Sequence, residues 1–118
     1  MKVSDLIYHP VEGVEDFQHV VSIGFGGGYD WDDLEAWYSP SKRKFFWLDG
    51  SGCSCNSLGD DVYGLADFSV GNRDELAAAV RRKYDDSYSG RQNMATDLLN
   101  DLATVKKFRP ASQEGGTP

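Results

Sequence analysis

The chain has 118 residues, which fits one small domain and leaves little room for a second, and 12 Lys and Arg against 19 Asp and Glu leave a net charge of −7. With 40% hydrophobic and 13% aromatic residues it can fill a core, so global disorder is excluded, and no apolar run approaches the roughly 20 residues that span a bilayer. The N-terminus MKVSDLIYHP lacks the sustained apolar stretch of a secretory signal, which points to a cytoplasm, and the acidic balance argues against direct binding to a nucleic-acid backbone.

In chain order, Ser4 to Ile7 reads as a short turn starting at a Ser cap and ending before Pro10. Residues 17–25 alternate, which predicts a strand with Phe17, His19, Val21, Ile23 and Phe25 on one face and Gln18, Val20, Ser22 and Gly24 on the other. Gly26, Gly27 and Gly28 then end it. A hairpin follows, with Asp33–Tyr38 as one arm, Ser39–Arg43 as the turn and Lys44–Asp49 as the other arm. Pro40 presets a turn dihedral, and Phe45, Phe46 and Trp47 are strong strand formers. A competing reading caps a short helix at Asp30 and runs it through Trp37. The Gly-, Ser- and Asp-rich stretch 50–64 reads as a loop.

Two helices complete the chain. The first runs from about Arg73 to Tyr84, with Asn72 as cap and Leu76, Val80 and Tyr84 repeating every four residues. Asp74 and Glu75 in its first turn and Arg81 to Lys83 near its end suit the helix dipole. The second spans about Arg91 to Lys107, with Met94, Leu98, Leu102 and Val105 on one face, and Ser87–Gly90 joins the pair. The predicted fold is therefore α+β, a small antiparallel sheet of about three strands packed against two C-terminal helices, as one domain over 1–108 with a disordered tail, 109–118.

No motif carries an obvious chemistry. Gly24-Phe25-Gly26-Gly27-Gly28 has Tyr29 where a dinucleotide loop needs its third glycine, lacks the phosphate-binding lysine, and runs into Asp30, Asp32 and Asp33, which repel phosphate. That acidic cluster also lacks the calcium-loop spacing. Cys53-Ser54-Cys55 could supply two ligands to a zinc ion, with His9 and His19 as the other candidates, but reads more simply as two small thiols in a tight loop. His19 on an apolar face reads as a core residue; a Cys53–His19 pair would still need an orienting group. No metal site, cofactor or catalytic residue is assigned, and the chain is expected not to be an enzyme.

The aromatics carry more information. Tyr29, Trp31, Trp37, Tyr38, Phe45, Phe46 and Trp47 fall close together, and two helices can cover only one face of a hairpin. Either all of them pack internally, some under the N-terminal segment, or some remain exposed as a protein-binding patch beside the acidic residues.

The stretch from Trp37 to Cys55 resembles a family of small actinobacteriophage proteins, in which an aromatic hairpin with a polar turn runs into a W-x-x-x-S-G-C-S-C segment, here Trp47, Ser51, Gly52, Cys53, Ser54 and Cys55. The likeness covers residues 30–60, and Asn56-Ser57-Leu58 stands where a proline usually follows the second cysteine. It implies a context, a phage gene expressed in a host cytoplasm, and no chemistry. Small acidic phage proteins often bind a host protein, including defence complexes, and a −7 surface is steered toward a basic partner. The leading expectation is thus a non-enzymatic phage accessory protein that binds a host protein. Trp37, Trp47 and Tyr38 are the expected contact anchors, and Asp30, Asp32 and Asp33 the steering charges. The alternatives are a zinc- or thiol-dependent protein using the Cys53/Cys55 loop, and a virion or assembly component that self-associates.

Overall fold

The computed structural model describes residues 1–25, 29–86 and 94–111. Strands β1 (Gln18–Gly24), β2 (Asp30–Ser39), β3 (Lys44–Cys53) and β4 (Ser69–Gly71) form one antiparallel meander in the order β1-β2-β3-β4. Helix α1 (Arg73–Asp86) follows, and a π-helical turn over Met94–Leu98 leads into α2 (Leu99–Lys107). The α+β class is as the sequence indicates. The sheet has four strands rather than about three, because β4 is three residues long and too short to show an alternation.

The hairpin is a strand pair, not a helix: Tyr38 lies opposite Phe45 and Trp37 opposite Phe46. Asp16 clamps its turn, accepting from Ser39 Oγ and the Ser41 N–H at 2.8 Å each. Those hydrogen bonds outweigh the cost of burial and hold the Asp16 carboxyl below its usual range. Both arms are longer than predicted. Asp30–Asp33 pair with Gly50–Cys53, so four residues expected in a loop are strand. The reason is Trp31, whose indole lies over that segment: a Cβ on Gly52 would come 2.8 Å from the ring and 2.5 Å from Asn56. Gly52 is there to let the ring approach, not to break the strand.

The alternation predicted for β1 is broken by a bulge between His19 and Val21. One extra residue turns Val20 and Val21 both toward the helices, with Ile23, and leaves His19 on the opposite face.

Each sheet face has its own core. On one, Leu34, Ala36, Phe45 and Trp47 meet Leu76, Ala79, Val80 and Tyr84 of α1 and Leu98 and Val105 at α2. Arg73 fastens the two helices: Nη1 donates to Val105 O at 2.6 Å and Phe108 O at 2.9 Å, and the guanidinium lies 5.1 Å from the Phe45 ring. On the other face, Trp37, Phe46 and Leu48 are covered by Val3, Leu6, Val14 and Phe17 of the N-terminal segment and by Leu58, Val62 and Phe68 of the β3–β4 connection. The turn expected at Ser4–Ile7 is a 3₁₀ turn over Val3–Asp5.

Helix α1 extends to Asp86, two residues past the predicted end. The three glycines 26–28, the Ser87–Gly90 joint and residues 91–93 of the second predicted helix lie outside the described residues. Of the predicted disordered tail, 112–118 also lie outside, while Ala111 donates its N–H to Gln18 Oε1 at 2.8 Å. No helix among the described residues is long and apolar enough to cross a membrane.

Candidate functional site

The predicted aromatic anchors are interior side chains. Trp37 is 0% exposed, with its indole N–H donating to Met1 O at 3.1 Å, and Trp47 is 8% exposed between sheet and helices. Tyr38 is half-buried, its ring 4.7 Å from Phe45 and 5.9 Å from Phe108. The expectation that these rings form a surface patch is overturned: the second sheet face, which two helices could not reach, is covered by the chain's own N-terminal segment.

The acidic half of that prediction lies on the surface. Asp30 is exposed, and Asp32 and Asp33 are half-buried, on the first turns of β2 at the end of the sheet remote from the 39–44 turn. Residues that sequence reasoning missed join them. Asp49 and the β3–β4 connection reach the same end, and Lys83 comes up from α1 to pair with both Asp32 and Asp49, the latter at 2.6 Å, and to donate to Gly50 O at 3.2 Å. Burial works against the Lys83 charge, but its carboxylate partners outweigh it and hold the ammonium protonated beyond the usual lysine range. Asp33 has no such counterweight of its own: burial, then Glu35 and Asp32, push its carboxyl above the usual range, against the pull of Lys83.

Other aromatics remain open, Tyr8 (78% exposed) among them, on loops and, for Trp31, on β2 itself. Tyr29 is 81% exposed, Tyr63 is 64% exposed and stacks on His9 at 4.0 Å, and Trp31 is half-buried with its N–H donating to Cys53 O at 2.8 Å. A period-two reading carried back from Trp37 would have placed Trp31 and Asp33 on one face; the glycines at 50 and 52 hid the partner strand. A cleft of about 330 Å³ opens here, lined by Trp31, the strand residues Trp47–Ser51, Asn56–Leu58, Asp61, Val62, Asp67 and Ser69.

The opposite end carries Lys42, Arg43 and Lys44 in the turn, Arg73 at the start of α1, and Lys106 and Lys107 at the end of α2, together with Asp16 at the turn and Asp74 and Glu75 beside Arg73. Arg81 turns into the groove between the helices, with Arg73 and Lys106. Helix α1 closes on Asp85 and Asp86, against the dipole preference for cations at that position, which adds to the negative end.

Four further side-chain arrangements bear on chemistry. His19 Nε2 lies 3.1 Å from Glu35 Oε1 and 2.9 Å from Ser22 Oγ, and Ser22 donates to Glu35 at 2.6 Å. A nucleophile relay needs hydroxyl and acid on opposite ring nitrogens, whereas both meet Nε2 here and the serine proton goes to the carboxylate. The cluster satisfies Glu35, which is 8% exposed. The Cys53–His19 pair is not assembled: they lie opposite Asp30 and Trp37, which puts them about 23 Å apart along β2. Cys53 and Cys55 are exposed and joined by a disulfide across Ser54, rather than packed as thiols, so they offer a metal no thiolate pair. Among the described residues no three His, Cys, Asp or Glu side chains are grouped to hold a metal ion. Finally, Tyr84 donates to Asp101 at 2.5 Å between the helices, where burial, then Asp97, raise the Asp101 carboxyl although the tyrosine pulls it down.

The described residues thus form an antiparallel meander with an acidic, clefted end. Residues 7–109 match the family model of a domain of unknown function, DUF7574, and the chain belongs to that family. Neither a curated protein nor a solved structure matches it.

Proposed function

We propose that this chain is a non-enzymatic binding protein whose acidic end engages a basic surface of another protein. One observation carries the reading: at that end Asp30 is exposed and Asp33 half-buried on β2, Asp61 is exposed on the lining of an open cleft, and the cation that comes up to this end, Lys83, is already held by Asp32 and Asp49. Such a field speeds and orients encounter with a positive partner. The likeness of Trp47 and Ser51–Cys55 to actinobacteriophage proteins supports the finer proposal of a phage accessory protein acting on a host protein in the host cytoplasm, with interference in host defence as its role.

The test is co-purification of the tagged full chain from an actinobacterial host, against an Asp30→Asn, Asp33→Asn, Asp61→Asn triple variant shown to keep its melting temperature. We expect one stoichiometric host protein whose association rate falls about ten-fold or more between low and high salt, and which the triple variant no longer retains. Equal retention by the variant, or binding indifferent to salt, would overturn the acidic end as the contact surface.

A further inference from the structure

The outer edge of β3 is only half used. β4 pairs with Phe45, Phe46 and Trp47, and β3 then continues for six residues, Leu48–Cys53, with no further strand beside it among the described residues. The chain leaves at Cys53 and crosses the sheet face, where Leu58, Val62 and Leu65 pack under Phe46 and Leu48, and returns to the edge only at Ser69. The connection therefore covers the face and leaves the edge. The cleft described above runs along this edge, since five consecutive strand residues, Trp47–Ser51, form one wall.

An open strand edge presents backbone donors and acceptors of alternate residues, which pair with any extended chain that can reach them. β1, the opposite edge of the sheet, is protected by its bulge, and β4 by its brevity; the Leu48–Cys53 edge has neither device, and of its carbonyls Gly50 O accepts from Lys83 and Cys53 O from Trp31 and the Asn56 N–H. The occupant is selected by charge. The residues lining the cleft include Asp61 and Asp67, with Asp49 already paired to Lys83, and no Lys, Arg or His, and Trp31 closes one side with an aromatic ring suited to a cation.

We infer that this cleft takes an extended basic segment of a partner protein as an added strand along Leu48–Cys53. The inference rests on the proposed binding function and specifies its mode: main-chain pairing supplies affinity, and the carboxylates select lysine and arginine side chains.

A seven-residue peptide of alternating Lys and Thr, capped at both ends, is titrated into the ¹⁵N-labelled full chain. In the free protein, alternate amides between Leu48 and Cys53 should exchange quickly, and the peptide should protect them. The same peptide N-methylated at alternate residues keeps its charge but loses its ladder donors, and should bind about ten-fold more weakly. An Asp61→Asn chain should bind the parent peptide about three- to five-fold more weakly. Equal affinity for the N-methylated peptide, protection of those amides already in the free protein, or no binding of the Lys/Thr peptide would each overturn strand addition. None of these outcomes touches retention of the host partner by the acidic end, so the two readings fail separately.

Discussion

The two halves of the β2–β3 hairpin share one ladder and are built from different residues. In the half near the turn, Trp37, Tyr38, Phe45, Phe46 and Trp47 are covered on both faces and β4 closes the edge. In the half near Gly50, Asp30–Asp33 pair with Gly50–Cys53, carboxylates replace the aromatics, a lysine replaces the apolar cover, and no strand among the described residues covers the edge. One continuous ladder thus joins a region that holds the fold to the region proposed to bind. The difference comes from what lies over each half: helices and N-terminal segment over the first, charge and a single indole over the second.

The sharpest way to break this contrast is to cut into the closed half. Trp37→Ala or Trp47→Ala removes a large side chain from a filled core and should cost about 3–5 kcal/mol, a large part of the total for a small domain, read from urea unfolding. Either variant then loses partner binding by unfolding, so neither can report on contact. A folded, near-native Trp37→Ala protein would mean that the N-terminal segment does not seal this face.

Much of the closed half was legible in the sequence and little of the open half. The aromatic arms and the spacing of Leu76, Val80 and Tyr84 announce strands and a helix because each has one repeating apolar side. The bulge at His19–Val21 was invisible, since a single inserted residue leaves the composition of a strand unchanged while exchanging its faces. The Gly50–Cys53 strand read as a loop because the glycines that admit Trp31 are also the usual residues of turns. The exposure of Trp37 and Trp47 was misjudged because it depends on where residues 3–17 and 58–68 come to rest, a long-range matter without local pattern. The grouping of Asp30, Asp32 and Asp33 was legible because charge needs no packing to be read.

The next test exchanges the character of the open half. Lys83→Met keeps the apolar stem and removes the charge, leaving Asp32 and Asp49 facing each other beside Asp33. Because both carboxylates are partly exposed, the loss should be about 1–3 kcal/mol, less than for either tryptophan, and should shrink in high salt. A Lys83→Met protein as stable as the parent would show that the ammonium organises charge without holding the fold.

The smallest effect tests whether the open half gives up stability for its charge. Burial, with Glu35 and Asp32 nearby, raises the folded-state pKa of Asp33, so the folded chain holds that proton more tightly than the unfolded chain does. The sign follows from linkage: stability is fully present below the ordinary value of 3.8 and is lost as pH rises through the raised value, because there the unfolded state has already released its proton. At neutral pH the ionised carboxylate is therefore a cost. Asp33→Asn, of nearly the same shape, should be more stable than the parent at pH 7 by less than about 1 kcal/mol, with the advantage fading below pH 3.8. Paired urea titrations across that range read it directly. A variant less stable than the parent at neutral pH would place Asp33 among the residues that hold the fold and would erase the boundary drawn here between the two halves of the hairpin.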